Sequence, residues 1–197
     1  MDFKFTNEYP VSRLDEAVSF LLGPRLWIPQ NDYPDFFDWA QKTHSELKSD
    51  VKRAIIAFSR NNIIGAVVYQ RHKKDKNALE IKNLTVRPDA RGRYIASFLL
   101  KNAEVEGTRE FRPQFITCDT KAKNLEIMHF LLKHHYRIVG KNDLYRLNSG
   151  EDLVYFIADC EISTIFLKIS GSCCARSERI LRSSPTLALL RPWMNLL

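Results

Sequence analysis

A mixed α/β fold of the α+β kind, built on one central sheet, is what this chain predicts, and three observations predict it. Helically spaced apolar residues alternate with short β-branched runs in the order β-α-α-β-β-β-α-β-α-β-β. Three of the β runs are consecutive and separated only by polar loops, which specifies an antiparallel meander. Finally, Arg91-Gly92-Arg93-Tyr94-Ile95-Ala96 makes a short Gly- and Arg-bearing turn from an extended run into an amphipathic one.

Taken in order, Phe3 to Thr6 alternates as a short strand. Ser12 then stands as a hydroxyl N-cap before Leu14, Ala17, Val18, Leu21 and Leu22, with Glu16 in the first turns and Gly23-Pro24 as the stop. Tyr33-Pro34 opens a second helix over residues 35–48, with Phe36, Phe37, Trp39 and Ala40 as its apolar body. Ala54 to Phe58 and Ile63 to Tyr69 are strands joined by Ser59-Arg60-Asn61-Asn62, a loop of hairpin composition. A basic loop, Arg71 to Asn77, leads to a third strand, Leu79 to Val86.

That third strand changes parity. Its apolar positions are 79 and 81, then 84 and 86. One inserted residue near Asn83, a β-bulge, keeps all four on one side; a strand buried on both faces is the other reading. Beyond the turn, Ile95, Phe98, Leu99, Asn102 and Ala103 mark a helix face that ends at Gly107. Gln114 to Cys118 is a strand, Asn124 to His134 a helix, and Tyr136 to Val139 and Leu153 to Ala158 two further strands.

The length, 197 residues at 45% hydrophobic, suits one medium domain and a tail. The net charge of +7 is spread along the chain, which favours anionic ligands without separating phosphorylated cofactors from RNA. Cys118, Cys160, Cys173 and Cys174 show neither zinc-ligand spacing nor a disulfide framework, so no metal is expected and a reduced, cytoplasmic setting is. No secretory signal pattern or 18-residue apolar stretch is present, so no membrane partner is expected.

The turn at 91–96 brings together backbone N–H groups, the positive end of a helix dipole and guanidinium charge, which is how a protein grips a phosphate. The stretch from Leu84 through Ala96, Leu-Thr-Val-Arg-Pro-Asp-Ala-Arg-Gly-Arg-Tyr-Ile-Ala, together with Asn124 through Tyr136, resembles the GCN5-related N-acetyltransferase (GNAT) superfamily over roughly residues 3 to 160. The first stretch looks like the family's acyl-CoA signature and the second like its Asn-bearing helix before a strand. The resemblance implies a mostly antiparallel central sheet flanked by helices, with a bulged strand splayed from its neighbour to leave a V-shaped slot. In that slot the backbone of Leu84, Thr85 and Val86 would bond the pantetheine arm. The amides of Gly92, Arg93, Tyr94, Ile95 and Ala96 would hold the pyrophosphate, with Arg91 or Arg93 adding charge. Asn124 would contact the pantetheine or leaving group; a plain helix N-cap is its other reading.

Three positions depart from the family pattern. Tyr94 stands where the turn's first glycine is usual, and close backbone approach there asks for a negative φ and a ring turned away. Leu131 occupies the place of a tyrosine that protonates the departing thiolate, and His135 replaces a glycine before Tyr136, so that turn is expected to be made differently.

Acetyl transfer needs a deprotonated amine, a polarised thioester and a proton for the thiolate, and a side-chain acid adds only about 10²- to 10⁴-fold. The expected base is Glu80, eleven residues before Arg91 as in the histone-acetylating branch of the family. Flanked by Leu79 and Ile81, its carboxyl should be partly desolvated and its pKa raised; a carboxylate paired with Lys82 is the other reading. The expected activity is therefore acetyl-CoA-dependent N-acetylation of a primary amine on a small molecule, peptide or protein. A catalytically silent acyl-CoA sensor, or an aminoacyl-tRNA acetyltransferase, are the alternatives, the latter without any aromatic-interleaved RNA motif. A homodimer is compatible with all of them. The domain spans 1–160, and residues 161–197, with five basic and two acidic residues, read as a poorly ordered or weakly helical tail.

Overall fold

The computed structural model describes residues 3–22, 36–142 and 153–160. The sequence-predicted stop at Gly23-Pro24, the Tyr33-Pro34 opening, most of the loop before Asp152 and the 161–197 tail lie outside them. Two compact units, 1–118 and 119–197, make up the chain.

In the first unit β1 (Phe3–Thr6), β2 (Arg53–Ser59), β3 (Asn62–Arg71) and β4 (Ala78–Val86) are neighbours in that order and antiparallel. β5 (Phe115–Lys121) begins beside β4 in parallel, reached through a helix as a parallel crossover demands. The helices are α1 (Leu14–Leu22), α2 (Phe36–Lys48) and α3 (Ile95–Phe111). Ser59 and Asn62 pair across the first hairpin, so its turn is only Arg60-Asn61, with Arg60 at φ +55°.

Strand alternation assigns the helices to opposite sheet faces. Ala66 and Val68 of β3 pack with Leu14, Val18 and Leu21 of α1 and Leu47 of α2. Tyr69 meets the ring of Phe111 in α3, at 6.4 Å between centroids. Leu79 lies against Gly107 of α3 so closely that a β-carbon there would come within 2.6 Å of its methyl groups. Gly107 therefore does not end the helix. It is the point where helix and sheet approach, and α3 continues to Phe111, capped by Arg112 at φ +48° whose N–H bonds the Thr108 carbonyl.

In the second unit α4 (Leu125–Lys133) precedes the antiparallel pair β6 (Arg137–Asn142) and β7 (Leu153–Asp159). Helix α4 closes with Tyr136 N–H on the Leu131 carbonyl and His135 N–H on that of Leu132, a Schellman turn with His135 at φ +66°. The expectation that His135 forces a different turn is corrected: it takes the left-handed conformation a glycine would take. Both Leu131 and Tyr136 are buried, the apolar pair that accompanies such a turn.

Candidate acyl-CoA site

The parity break in β4 is a bulge. Register runs Val68 opposite Lys82 and then Ala66 opposite Thr85, so Asn83 and Leu84 together face Val67, and Asn83 sits at φ +51°. Leu79, Ile81 and Val86 lie opposite Arg71, Tyr69 and Gly65, positions of one parity on β3 and hence one face. The parallel register with β5 covers only Ala78–Phe115, Leu79–Ile116 and Glu80–Thr117, leaving residues 81–86 of β4 without a β5 partner. A strand edge left without partners is what an extended ligand requires.

Past β4, Pro88 to Ala90 make one 3-10 turn, and Arg87 forms an ion pair with Asp89 at 2.6 Å that lowers the Asp89 pKa. Arg91 donates Nε–H to the Val86 carbonyl at 3.2 Å, tying the turn back to the strand. Gly92 adopts φ +72°, where its missing β-carbon avoids the left-handed penalty. Tyr94 follows as N-cap of α3 at φ +60°, contrary to the negative φ expected, because the chain must still turn left-handed to enter the helix. The residue is 74% exposed and its side chain makes no capping bond. The first helical bond is Phe98 N–H to the Tyr94 carbonyl, at 3.0 Å; the amides of Ile95 and Ala96 precede it, and the first turn holds no acidic residue. A helix entrance of this kind attracts anions.

On the α1/α2 face of β4 lies a polar cluster. Gln70 of β3, opposite Glu80 and fully buried, donates Nε2–H to Glu80 Oε2 at 2.5 Å, and Lys82 Nζ lies 2.9 Å from Glu80 Oε1. Burial alone would raise the Glu80 pKa, as expected from its apolar neighbours, but Lys82, Gln70 and His72 together bring it below the usual value. The expected upward shift is thus corrected: the carboxylate is ionised at neutral pH. His72 is held by backbone N–H groups of Lys74 and Asp75 donating to Nδ1, and burial lowers its pKa despite Glu80 and Asp75. Nearby, the buried Lys52 ammonium bonds Thr43 Oγ1 at 3.2 Å and pairs with Glu46 at 2.8 Å, burial lowering its pKa.

In the second unit Asn124 is the N-cap of α4, its Oδ1 accepting the Ile127 N–H at 3.5 Å. Leu131 is 4% exposed. Gln70, His72 and the Lys52 group went unnoticed in the sequence, because a lone Gln or His at a strand end carries no spacing signal. Among the described residues, a cavity of about 490 Å³ lined by Tyr9, Leu14, Leu47, Asp50 and Arg53 holds none of the predicted site residues. No three His, Cys, Asp or Glu gather as a metal site among the described residues, and no described helix is long and apolar enough to cross a membrane.

The model of the Acetyltransferase (GNAT) family matches residues 19–136, which contain the bulged strand, the turn and α4. The chain belongs to this family. Its fold is like that of an N-acetyltransferase from Staphylococcus aureus Mu50, 15% identical, TM-score 0.64, over 81% of this chain and 99% of that one. It is also like a spermidine N-acetyltransferase SpeG chimera from Vibrio cholerae and hSSAT, 12% identical, TM-score 0.63, over 83% and 99%. A putative streptothricin acetyltransferase from Bacillus anthracis str. Ames, in complex with acetyl coenzyme A, is 25% identical with TM-score 0.50 over 55% of this chain and 62% of that one. Among curated proteins no sequence relative is found. The fold class expected from the sequence, mixed α/β with a mostly antiparallel sheet flanked by helices, is that of this family.

Proposed function

We propose that this GNAT-family chain is an acetyl-CoA-dependent N-acetyltransferase acting on a primary amine by direct attack in a ternary complex. The observation that carries the reading is the bulge at Asn83 with the unpartnered stretch of β4 beyond it, leading straight into the Gly92 turn and the uncapped start of α3. An extended arm can take the place of a strand along 84–86, and a pyrophosphate can sit on the amides of 92–96 with Arg91 and Arg93 beside it. The relative bound to acetyl coenzyme A supports the choice of cofactor.

Glu80 is the base in this reading. Being ionised, it accepts a hydrogen bond from the incoming ammonium and passes its proton to solvent, after which the amine lone pair attacks the thioester carbonyl. Leu131 has no ionisable proton to give, so the thiolate is protonated by solvent or another group. Relatives named for spermidine and streptothricin favour a small-molecule amine as acceptor. The clamp of Lys82 on Glu80, with Leu131, favours a second reading, a module that binds acyl-CoA without turnover.

The domain of residues 1–160 would suffice for either. Acetyl-CoA titration by calorimetry, followed by turnover on amines, peptides and charged tRNA, tests both. Binding with acetylation of an amine is expected; binding alone selects the silent module, and no binding overturns both.

A further inference from the structure

We propose that Lys82 is an acetyl acceptor within the protein itself, its ε-amine attacking acetyl-CoA held along β4 to leave acetyllysine. This rests on the cofactor reading above. Two observations, joined to that reading, place the amine there. Lys82 is the last residue before the bulge, opposite Val68, and so shares the α1/α2 face with Glu80. Its Nζ is held 2.9 Å from Glu80 Oε1, with about a third of the side chain exposed. And with the pyrophosphate on 92–96, an arm running back past Val86 and Leu84 brings its acyl end to the bulge. At most two strand steps, about 7 Å, separate Lys82 from Leu84, with the bulge at Asn83 between them, and a lysine side chain reaches over such a span. Lys52, by contrast, is closed in by Thr43 and Glu46.

The chemistry balances without a co-reactant. The Lys82 ammonium gives one proton through Glu80 to solvent, and the nitrogen lone pair attacks the thioester carbonyl carbon. The N–C bond forms, the C–S bond breaks, and the thiolate takes a second proton from the nitrogen through water. Acetyllysine, CoA thiol and one released proton are the products. The modification also removes the cation that holds Glu80 in an ion pair, freeing that carboxylate for an incoming amine. Self-acetylation would then prime the site.

The test incubates the full chain with acetyl-CoA and no acceptor, maps acetylated peptides by mass spectrometry at several pH values and protein concentrations, and measures CoA binding by calorimetry in parallel. Acetylation of Lys82 is expected at a rate independent of protein concentration, rising with pH, and about tenfold or more above that of the exposed Lys48 and Lys76. Glu80→Gln, close in shape to the native side chain, should slow it while leaving Lys48 and Lys76 unchanged. CoA binding with Lys82 no faster than Lys76 overturns this proposal alone. No CoA binding overturns it together with the cofactor reading.

Discussion

Replacing Tyr94 by glycine should stabilise this protein. Tyr94 holds φ +60°, where an L-residue with a β-carbon is penalised by roughly 1–2 kcal/mol, and its ring is 74% exposed, so little packing is lost with it. Glycine adds freedom to the unfolded chain, a cost of about 0.5–1 kcal/mol. The net gain is on the order of 0.5–1 kcal/mol, which for a chain of this size raises Tm by about 1–4 °C. Thermal unfolding followed by circular dichroism reads the shift. Tyr94→Ala is the control: it removes the ring but keeps the β-carbon, and should gain nothing. A Tyr94→Gly protein that melts no higher than wild type, or no higher than Tyr94→Ala, would refute the claim that backbone strain resides at this turn.

Two further outcomes concern stability. Gly107→Ala should destabilise: its β-carbon would press to 2.6 Å on the buried Leu79, and overpacking of about 1–3 kcal/mol outweighs the roughly 1 kcal/mol that alanine gains in a helix. Combined with Leu79→Ala it should cost less than the sum of the two, measured by urea unfolding. Acid should weaken the fold through Glu80 and Glu46, whose folded pKa values lie below the ordinary 4.5. Such groups stabilise above the unfolded pKa, and that stability is lost as pH falls through the folded pKa. Glu80→Gln should therefore be less stable than wild type at pH 7 and match it after acidification; an equal deficit at all pH values would contradict the assignment.

Much of this was legible in the sequence wherever a local pattern carried it. The parity break at 81 and 84 located the bulge because side-chain alternation has a fixed period, and a slip of one residue cannot be hidden. The Arg91 to Ala96 turn was legible because glycine and the helix start adjoin in sequence. What long-range pairing decides was not legible. Gly107 has the pattern of a helix end, and only its packing against Leu79 makes it a helix–sheet contact; the Lys82 partner of Glu80 lies two residues away in sequence, but Gln70, which adds to the lowering of the Glu80 pKa, comes from across a hairpin. His135 and Tyr94 show the converse, that a turn's conformation can be set by the elements it joins even when the residue is poorly suited to it.

The bulge at Asn83 also sets the hydrogen-bonding phase of the strand beyond it. Arg87 donates its N–H to the Ile64 carbonyl, so with a period of two Thr85 turns its amide and carbonyl toward β3, while Leu84 and Val86 turn theirs to the opposite edge. The Val86 carbonyl already shows this direction by receiving Arg91. Of three successive residues, then, the outer two offer backbone donors and acceptors to a ligand and the middle one belongs to the sheet. Were the same sequence paired regularly from Lys82 onward, Leu84 would stand opposite Ala66, that order would be reversed, and a single residue would face the arm where two now do.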